Sequence, residues 1–217
     1  FELGLKHVFD NGYLNLAYFD QSIDGFQSNT FVGNGFALVN AGEQNHTGFE
    51  FDAMVALSEA LVVNVSGIKI DGEYVSFVNG SCGDFPGLEC DDGKSTRDLS
   101  GTQPAGVHDW SVNANAVYSF NLSDGISGFF RAEYVYESDV ALVDNVPESL
   151  ASRGSKNVNL SLGLDHGASG LSAMLWARNL TDHESLISAF PTTAAPGSFS
   201  AYPNAPRTYG LTLRKNF

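Results

Sequence analysis

Basic residues are scarce in this sequence. Its 217 residues hold 11 Lys and Arg against 25 Asp and Glu, a formal net charge of −14 at pH 7. So few cations cannot neutralise a run of phosphates, which excludes nucleic acid as a partner. No stretch approaches the ~20 apolar residues of a membrane helix. The opening "FELGLKHVFDNG" has no basic start, apolar run or cleavage site, so we do not read it as a signal peptide; a mature secreted chain would lack one too, and the point says little about location. Neither Gly-x-Ser-x-Gly, HExxH nor a phosphate loop occurs. The 5 histidines stand at no metal-ligand spacing. We therefore expect no catalytic residue, no metal, no cofactor and no enzyme. Glu133 and Glu137 share one strand face, and we read them as charges lining a polar surface rather than a glycosidase pair.

Aromatics and glycine are plentiful instead: 16 Phe, 8 Tyr and 23 Gly, with only 17% charged residues. That balance points to β-structure. Period-2 alternation then recurs along the chain. It predicts strands over 1–9, 13–27, 46–57, 61–70, 110–120, 126–137, 157–165, from 171 through Trp176, and 208–216. In the third, Phe49, Phe51, Ala53, Val55 and Leu57 line one face, with Gly48, Glu50 and Asp52 on the other.

The connections alternate short and long. "DNG", "SEA", "NLSDG" and "HGASG" are tight-turn signals; the segments between them are long and polar. Greek-key sandwiches rarely keep this rhythm. Transmembrane barrels do, with short periplasmic turns, long extracellular loops, an apolar face toward lipid and a polar face toward the lumen. From Tyr209 to Phe217 the last strand takes eight steps of ~3.4 Å at ~40° tilt, about 20 Å of height, with an aromatic at each rim. Tyr209 and Phe217 are thus expected girdle residues. Nine strands ending on the periplasmic side would begin outside. A bacterial barrel has an even strand number, so we expect at least one strand before Phe1 and read 1–217 as a C-terminal piece.

Cys82 and Cys90 lie in the loop "NGSCGDFPGLECDDGK". With no His nearby, a local disulfide in an oxidising compartment or two free thiols are the readings, and a metal site is not.

Four stretches resemble one family. "FELGLK" at 1–6 is similar to the recurring "YE-G-K" strand of TonB-dependent outer-membrane receptors. "NAGEQNHTGFEFD" at 40–52 looks like their "NAG…GxE" segment, "WARNLTD" at 176–182 like their "NLTD" motif, and "PRTYGLTLRKNF" at 206–217 like their terminal strand with its C-terminal aromatic. The resemblance implies an all-β, antiparallel, up-and-down transmembrane barrel in the outer membrane of a Gram-negative bacterium, here its last nine or so strands. The plug domain, the energy-coupling box and the upstream strands would lie outside this chain. It further implies uptake of a scarce nutrient, most often in this family a ferric siderophore, with vitamin, haem and glycan substrates also known for it, driven by the TonB complex through those absent N-terminal parts, with the lipid bilayer around the wall. Phe217 would be read by the barrel-assembly machinery.

A small-molecule or chelate ligand would be met by loops near 78–108, 138–153 and 183–204, because recognition tends to sit on loops held by a rigid scaffold. The first loop holds Phe85, His108 and Trp110 with the acids Glu89, Asp91 and Asp92. Those acids would repel an anionic chelate, so Arg97 and Arg153 are its candidate contacts. The uncharged "SAFPTTAAPGSFSAYP" offers Phe190, Phe199 and Tyr202 for stacking. Asn179 and Asp182 are read as turn-formers. Two rival readings stand beside the receptor: a passive porin or other outer-membrane barrel, and a soluble carbohydrate-binding β-sandwich that would bury the Leu and Phe face.

Overall fold

The computed structural model describes residues 1–32, 35–40, 42–92, 95–192 and 195–217. The strands run β1 (Glu2–Phe9), β2 (Gly12–Asp24), β3 (Gln27–Val32), β4 (Gly35–Asn40), β5 (Glu43–Ala56), β6 (Leu61–Ser76), β7 (Gly80–Ser81), β8 (Thr96–Arg97), β9 (Trp110–Ser123), β10 (Ile126–Ala141), β11 (Ser152–His166), β12 (Leu171–Arg178), β13 (Leu186–Pro191), β14 (Phe199–Pro203) and β15 (Thr208–Lys215). One nine-stranded sheet follows the order β1-β2-β5-β6-β9-β10-β11-β12-β15, and every neighbouring pair is antiparallel. This is the wall of a partial barrel, open between β1 and β15.

The register fixes the faces, because directly opposed residues share a side. Phe51 faces Leu16 and Gly67; Val65 faces Ala53 and Ala114; Leu162 faces Phe130 and Leu175; Leu211 faces Leu175. The outward rows are thus apolar across all nine strands. The inward rows carry Asn15, Asp52, Asn64, Asn115, Glu133, Asn159 and Arg214. Asn15 Nδ2 donates to Asp52 Oδ1 at 3.1 Å, and Asn115 Nδ2 to Glu133 Oε1 at 3.3 Å.

The abundance of glycine and of aromatics has one cause in this sheet. In six direct cross-strand pairs among the described residues an aromatic faces a glycine: Phe9–Gly12, Phe19–Gly48, Phe51–Gly67, Phe120–Gly128, Phe129–Gly163 and Trp176–Gly210. In each pair the ring occupies the space a Cβ would need. The ring covers the bare backbone and the glycine gives it a flat seat, a recognised stabilising device in sheets.

No second sheet covers the apolar face among the described residues. Phe49 is 58% exposed, Leu211 58% and Leu213 65%. The buried apolar side chains, among them Phe77, Phe85, Leu99, Val140 and Val146, lie at the loop end instead. A sandwich would show the reverse, so that reading fails.

Strand ends depart from expectation mainly at the loop end. Four long strands continue past the expected limits there: β5 begins at Glu43, β6 reaches Ser76, β10 reaches Ala141 and β11 starts at Ser152. The segments read as loops also hold three hairpins of their own, β3–β4, β7–β8 and β13–β14. The expected second strand stops at Asp24, and Gln27 already belongs to β3. Above the bilayer neither face meets lipid, so apolar alternation lapses while backbone pairing goes on.

Placing a cation on an outward row at mid-height should cost about 2–4 kcal/mol, whereas an inward one should cost far less. Leu162→Arg is therefore expected to lower stability by that amount and Ser161→Arg to change it little, as read by denaturant unfolding of the receptor in lipid vesicles.

Candidate extracellular recognition cap

The short connections, at Asp10–Asn11, 57–60, Asp124–Gly125 and 167–170, sit at one end of the strands. The long ones lie at the other, where 77–109, 142–151 and 179–207 meet beside the segment that carries β3 and β4. There they pack on one another instead of standing free. Phe85 of the first, Val146 and Ala151 of the second and Ala189 of the third form one buried cluster, with Leu88, Leu142, Val143, Phe199 and Ala201 against it. A second cluster joins Tyr74, Phe77 and Leu99, with Phe26 beside them.

Asp144 ties these segments together. Tyr74 Oη donates to its Oδ2 at 3.0 Å and the Ala105 N–H to its Oδ1 at 3.1 Å. Arg97 Nη2 donates to its backbone carbonyl at 2.9 Å. Next to it Asn145 Nδ2 donates to Ser81 Oγ at 3.2 Å. Burial holds the Asp144 carboxyl above its ordinary value of 3.8, although the hydrogen bonds from Tyr74 and Ala105 and the nearby Arg97 pull the other way.

Cys82 and Cys90 are joined in a disulfide, with their Cα atoms 5.7 Å apart. Closing so small a ring contributes about 2–3 kcal/mol in chain-entropy terms. It stiffens the first loop locally, beside the backbone hydrogen bond from Cys82 N to Ser95 O.

The base of the last loop is built by the "NLTD" stretch. Asn179 and Asp182 both take left-handed backbone conformations, with φ 48° and 54°. Asn179 is buried. Its Oδ1 accepts from His183 N at 2.8 Å, and its Nδ2 donates to the carbonyls of His183 and Ala205. Asp182 Oδ1 accepts from Arg207 N at 2.8 Å. The motif is a clasp that joins the loop's two ends.

The candidate contact residues fall into different settings. Arg97 is turned into the cap and spent on the Asp144 carbonyl, its Nε buried without a partner. Arg153 Nη2 pairs with Glu137 Oε2 at 2.9 Å, beside His108. Phe199 packs against the cap's core. Phe190 and Tyr202 stay exposed on β13 and β14, their ring centroids 6.2 Å apart. Phe85 is a core residue, and Trp110, opposite Lys69, belongs to the outward rim rather than to the loop. Sequence reasoning missed Asp144 altogether: a lone Asp in "LVDNVPE" carries no local sign that three segments will converge on it. Tyr209 sits at the loop end of the outward rows and Phe217 at the turn end, the latter fully exposed.

This architecture defines a class. Residues 1–180 match the family described as TonB dependent receptor-like, beta-barrel. The chain belongs to that family, whose barrels lie in the outer membrane of Gram-negative bacteria. Its backbone is similar to that of the ferric yersiniabactin uptake receptor FyuA from Yersinia pestis, with TM-score 0.73 and 18% identity over 100% of this chain and 29% of that one. The siderophore receptor PiuA from Acinetobacter baumannii gives 0.65 and 16%, over 98% and 27%. BauA, the ferric preacinetobactin receptor of the same organism, gives 0.63 and 17%, over 98% and 28%. The chain thus spans less than a third of these proteins, and at such identities the likeness is one of fold. No curated protein matches it by sequence.

The raised Asp144 value has a definite sign. A carboxyl whose folded value exceeds its unfolded one stabilises the fold at low pH and loses that contribution as pH rises through the folded value. Cap protection in hydrogen exchange at 142–151 should therefore fall as pH rises above the ordinary carboxyl value of 3.8 and through the raised folded one, and Asp144→Asn should flatten that dependence.

Proposed function

We propose that this chain is part of the wall and outer cap of a TonB-energised receptor that imports a scarce nutrient, a ferric siderophore. What supports the reading is that three barrels of like fold are named as a ferric yersiniabactin uptake receptor, a siderophore receptor and a ferric preacinetobactin receptor, while the loops of this chain form a built cap rather than loose strands over a pore. Under this reading 1–217 is the C-terminal portion of the barrel. A plug and the remaining strands come from polypeptide beyond it, and the TonB complex engages those parts. Phe217 serves the barrel-assembly machinery as an end signal. No residue acts as a catalyst; the work of the wall is to hold the loops and exclude lipid.

Ligand contact falls to the exposed surface of the cap. Phe190 and Tyr202 present two rings on a charge-free hairpin, suited to stacking on an aromatic or sugar group. Arg153 is the cation nearer the surface, and its partner Glu137 would have to yield it to an anionic chelate. Arg97, in its inward setting, would contribute to a ligand by shaping the cap. A passive porin is the competing reading, and energy dependence separates the two.

The test is radio-iron uptake by cells whose sole receptor is the full-length protein, offered a panel of ferric siderophores under iron limitation. Uptake of at least one chelate, abolished by loss of TonB, is expected. Uptake that persists without TonB would establish a porin. Replacing residues 188–202 with a Gly/Ser linker is expected to weaken chelate binding by about tenfold or more, the worth of two stacked aromatic anchors. Unchanged binding would remove this hairpin from the site.

A further inference from the structure

One groove on this wall faces away from the lumen, beneath the base of the cap's last loop. Val158 and Tyr134 are opposed across β10 and β11, and Lys156 is opposed to Tyr136 one outward position nearer the loops. All four lie on the apolar outward rows, which continue through Leu160 and Leu162. The "NLTD" turn folds over the loop end of these strands, with Thr181 Oγ1 donating to the Lys156 carbonyl at 3.3 Å. Between them is a surface cavity of about 540 Å³, apolar below at Tyr134 and Val158 and polar above at Lys156, Thr181, His183 and Glu184.

Its charges are distributed unevenly. Asp182 also borders the cavity, but it is already matched by Arg207, whose Nη2 lies 3.7 Å from its Oδ2 and whose backbone N–H it accepts at 2.8 Å. Lys156 and Glu184 are exposed and form no ion pair among the described residues. Among the described residues of the paired strands, Lys156 is one of two cations at the loop end of the outward rows. The other is Lys69, three strands away, opposite Phe49 and Trp110. In a chain with a net charge of −14, cations are not placed at this level by abundance.

Depth identifies the occupant. Tyr134, Tyr136 and Trp110 mark the aromatic rim, which sits at headgroup level. A lipid packed on Val158, Leu160 and Leu162 brings its headgroup to Lys156. Long lysines at such a rim reach the polar layer with their stems on apolar surface. Phosphate suits the ammonium. The exposed Glu184 carboxylate and the half-buried His183 imidazole, whose Nε2 lies 3.4 Å from the Gly154 carbonyl, stand on the opposite wall and suit hydroxyl groups, hence a sugar.

We propose that this groove binds the phosphorylated sugar headgroup of an outer-leaflet glycolipid, with Lys156 on the phosphate and Glu184 and His183 on sugar hydroxyls. The site lies on the outward face, away from the lumen, and is built by the barrel wall together with the turn at the base of the last loop.

The test uses the purified full-length receptor in detergent and native mass spectrometry of retained lipid. The probes are bisphosphorylated lipid A, its dephosphorylated form and inorganic phosphate alone. Lipid A is expected to be retained and the dephosphorylated form to bind more weakly. Lys156→Gln should lower lipid A affinity by about fivefold, the worth of one cation beside an anionic surface, with Lys156→Arg largely restoring it. Lys69→Gln, on the same rim three strands away, should change it less. Heat-modified mobility on gels checks that each variant barrel is folded. Equal affinity of both lipid forms would overturn the assignment of phosphate to Lys156. Equal losses from Lys156→Gln and Lys69→Gln would show diffuse attraction and no site, and retention of inorganic phosphate as strong as that of lipid A would make it a free-anion site.

Discussion

Hydrocarbon offers the peptide backbone nothing to bond with. Each N–H and C=O inside a bilayer has to find a partner within the protein, and a strand finds them only on its neighbours. Every other feature of this wall follows from that. The nine strands pair in unbroken antiparallel order because a gap would strand backbone groups in lipid. Side chains are then left free to divide by face, since cohesion does not depend on them. That is why a sheet with Phe49, Leu211 and Leu213 bare to its surroundings is a sound structure and not an aggregating one.

The same constraint explains the glycines. A wall one residue thick has no core to fill, so its side chains pack sideways, along the surface, on their cross-strand neighbours. An aromatic ring lies flattest on a glycine, as Trp176 does on Gly210 while its Nε1 donates to Thr212 Oγ1 at 3.2 Å. Such pairs occur on both faces, Phe51–Gly67 outward and Phe129–Gly163 inward, so the device serves the sheet rather than either environment.

Above the membrane the rule relaxes and ordinary globular physics returns. Water can satisfy the backbone, and stability there comes from burial. The three long loops build a small core around Phe85, Val146 and Ala189 and close it over Asp144. The barrel wall and its cap are thus held by different forces, backbone pairing below and apolar packing with one buried carboxylate above. A receptor needs both, since a recognition surface has to stay formed while the wall beneath it remains indifferent to what is bound.

Alternation and turn chemistry by themselves determined the strands, their antiparallel order, the apolar face and the short and long ends. These are local: side-chain period and turn residues act within a few positions, and lipid enforces the period strictly. The "NLTD" turn was legible for the same reason, as Asn179 and Asp182 adopt backbone conformations those residues favour. Proximity of Cys82 and Cys90 in one loop likewise made their pairing readable. The strand extensions above the bilayer were not legible, because with water on both faces nothing enforces alternation there. Nor were the roles of the loop residues. Arg97 reads as a free cation until Asp144 is brought beside it from 47 positions away, and Phe85 as a loop aromatic until Val146 and Ala189 enclose it. Which side chains are spent inside the cap and which are left for a ligand was decided by how three distant segments pack, and packing between segments leaves no period in the sequence.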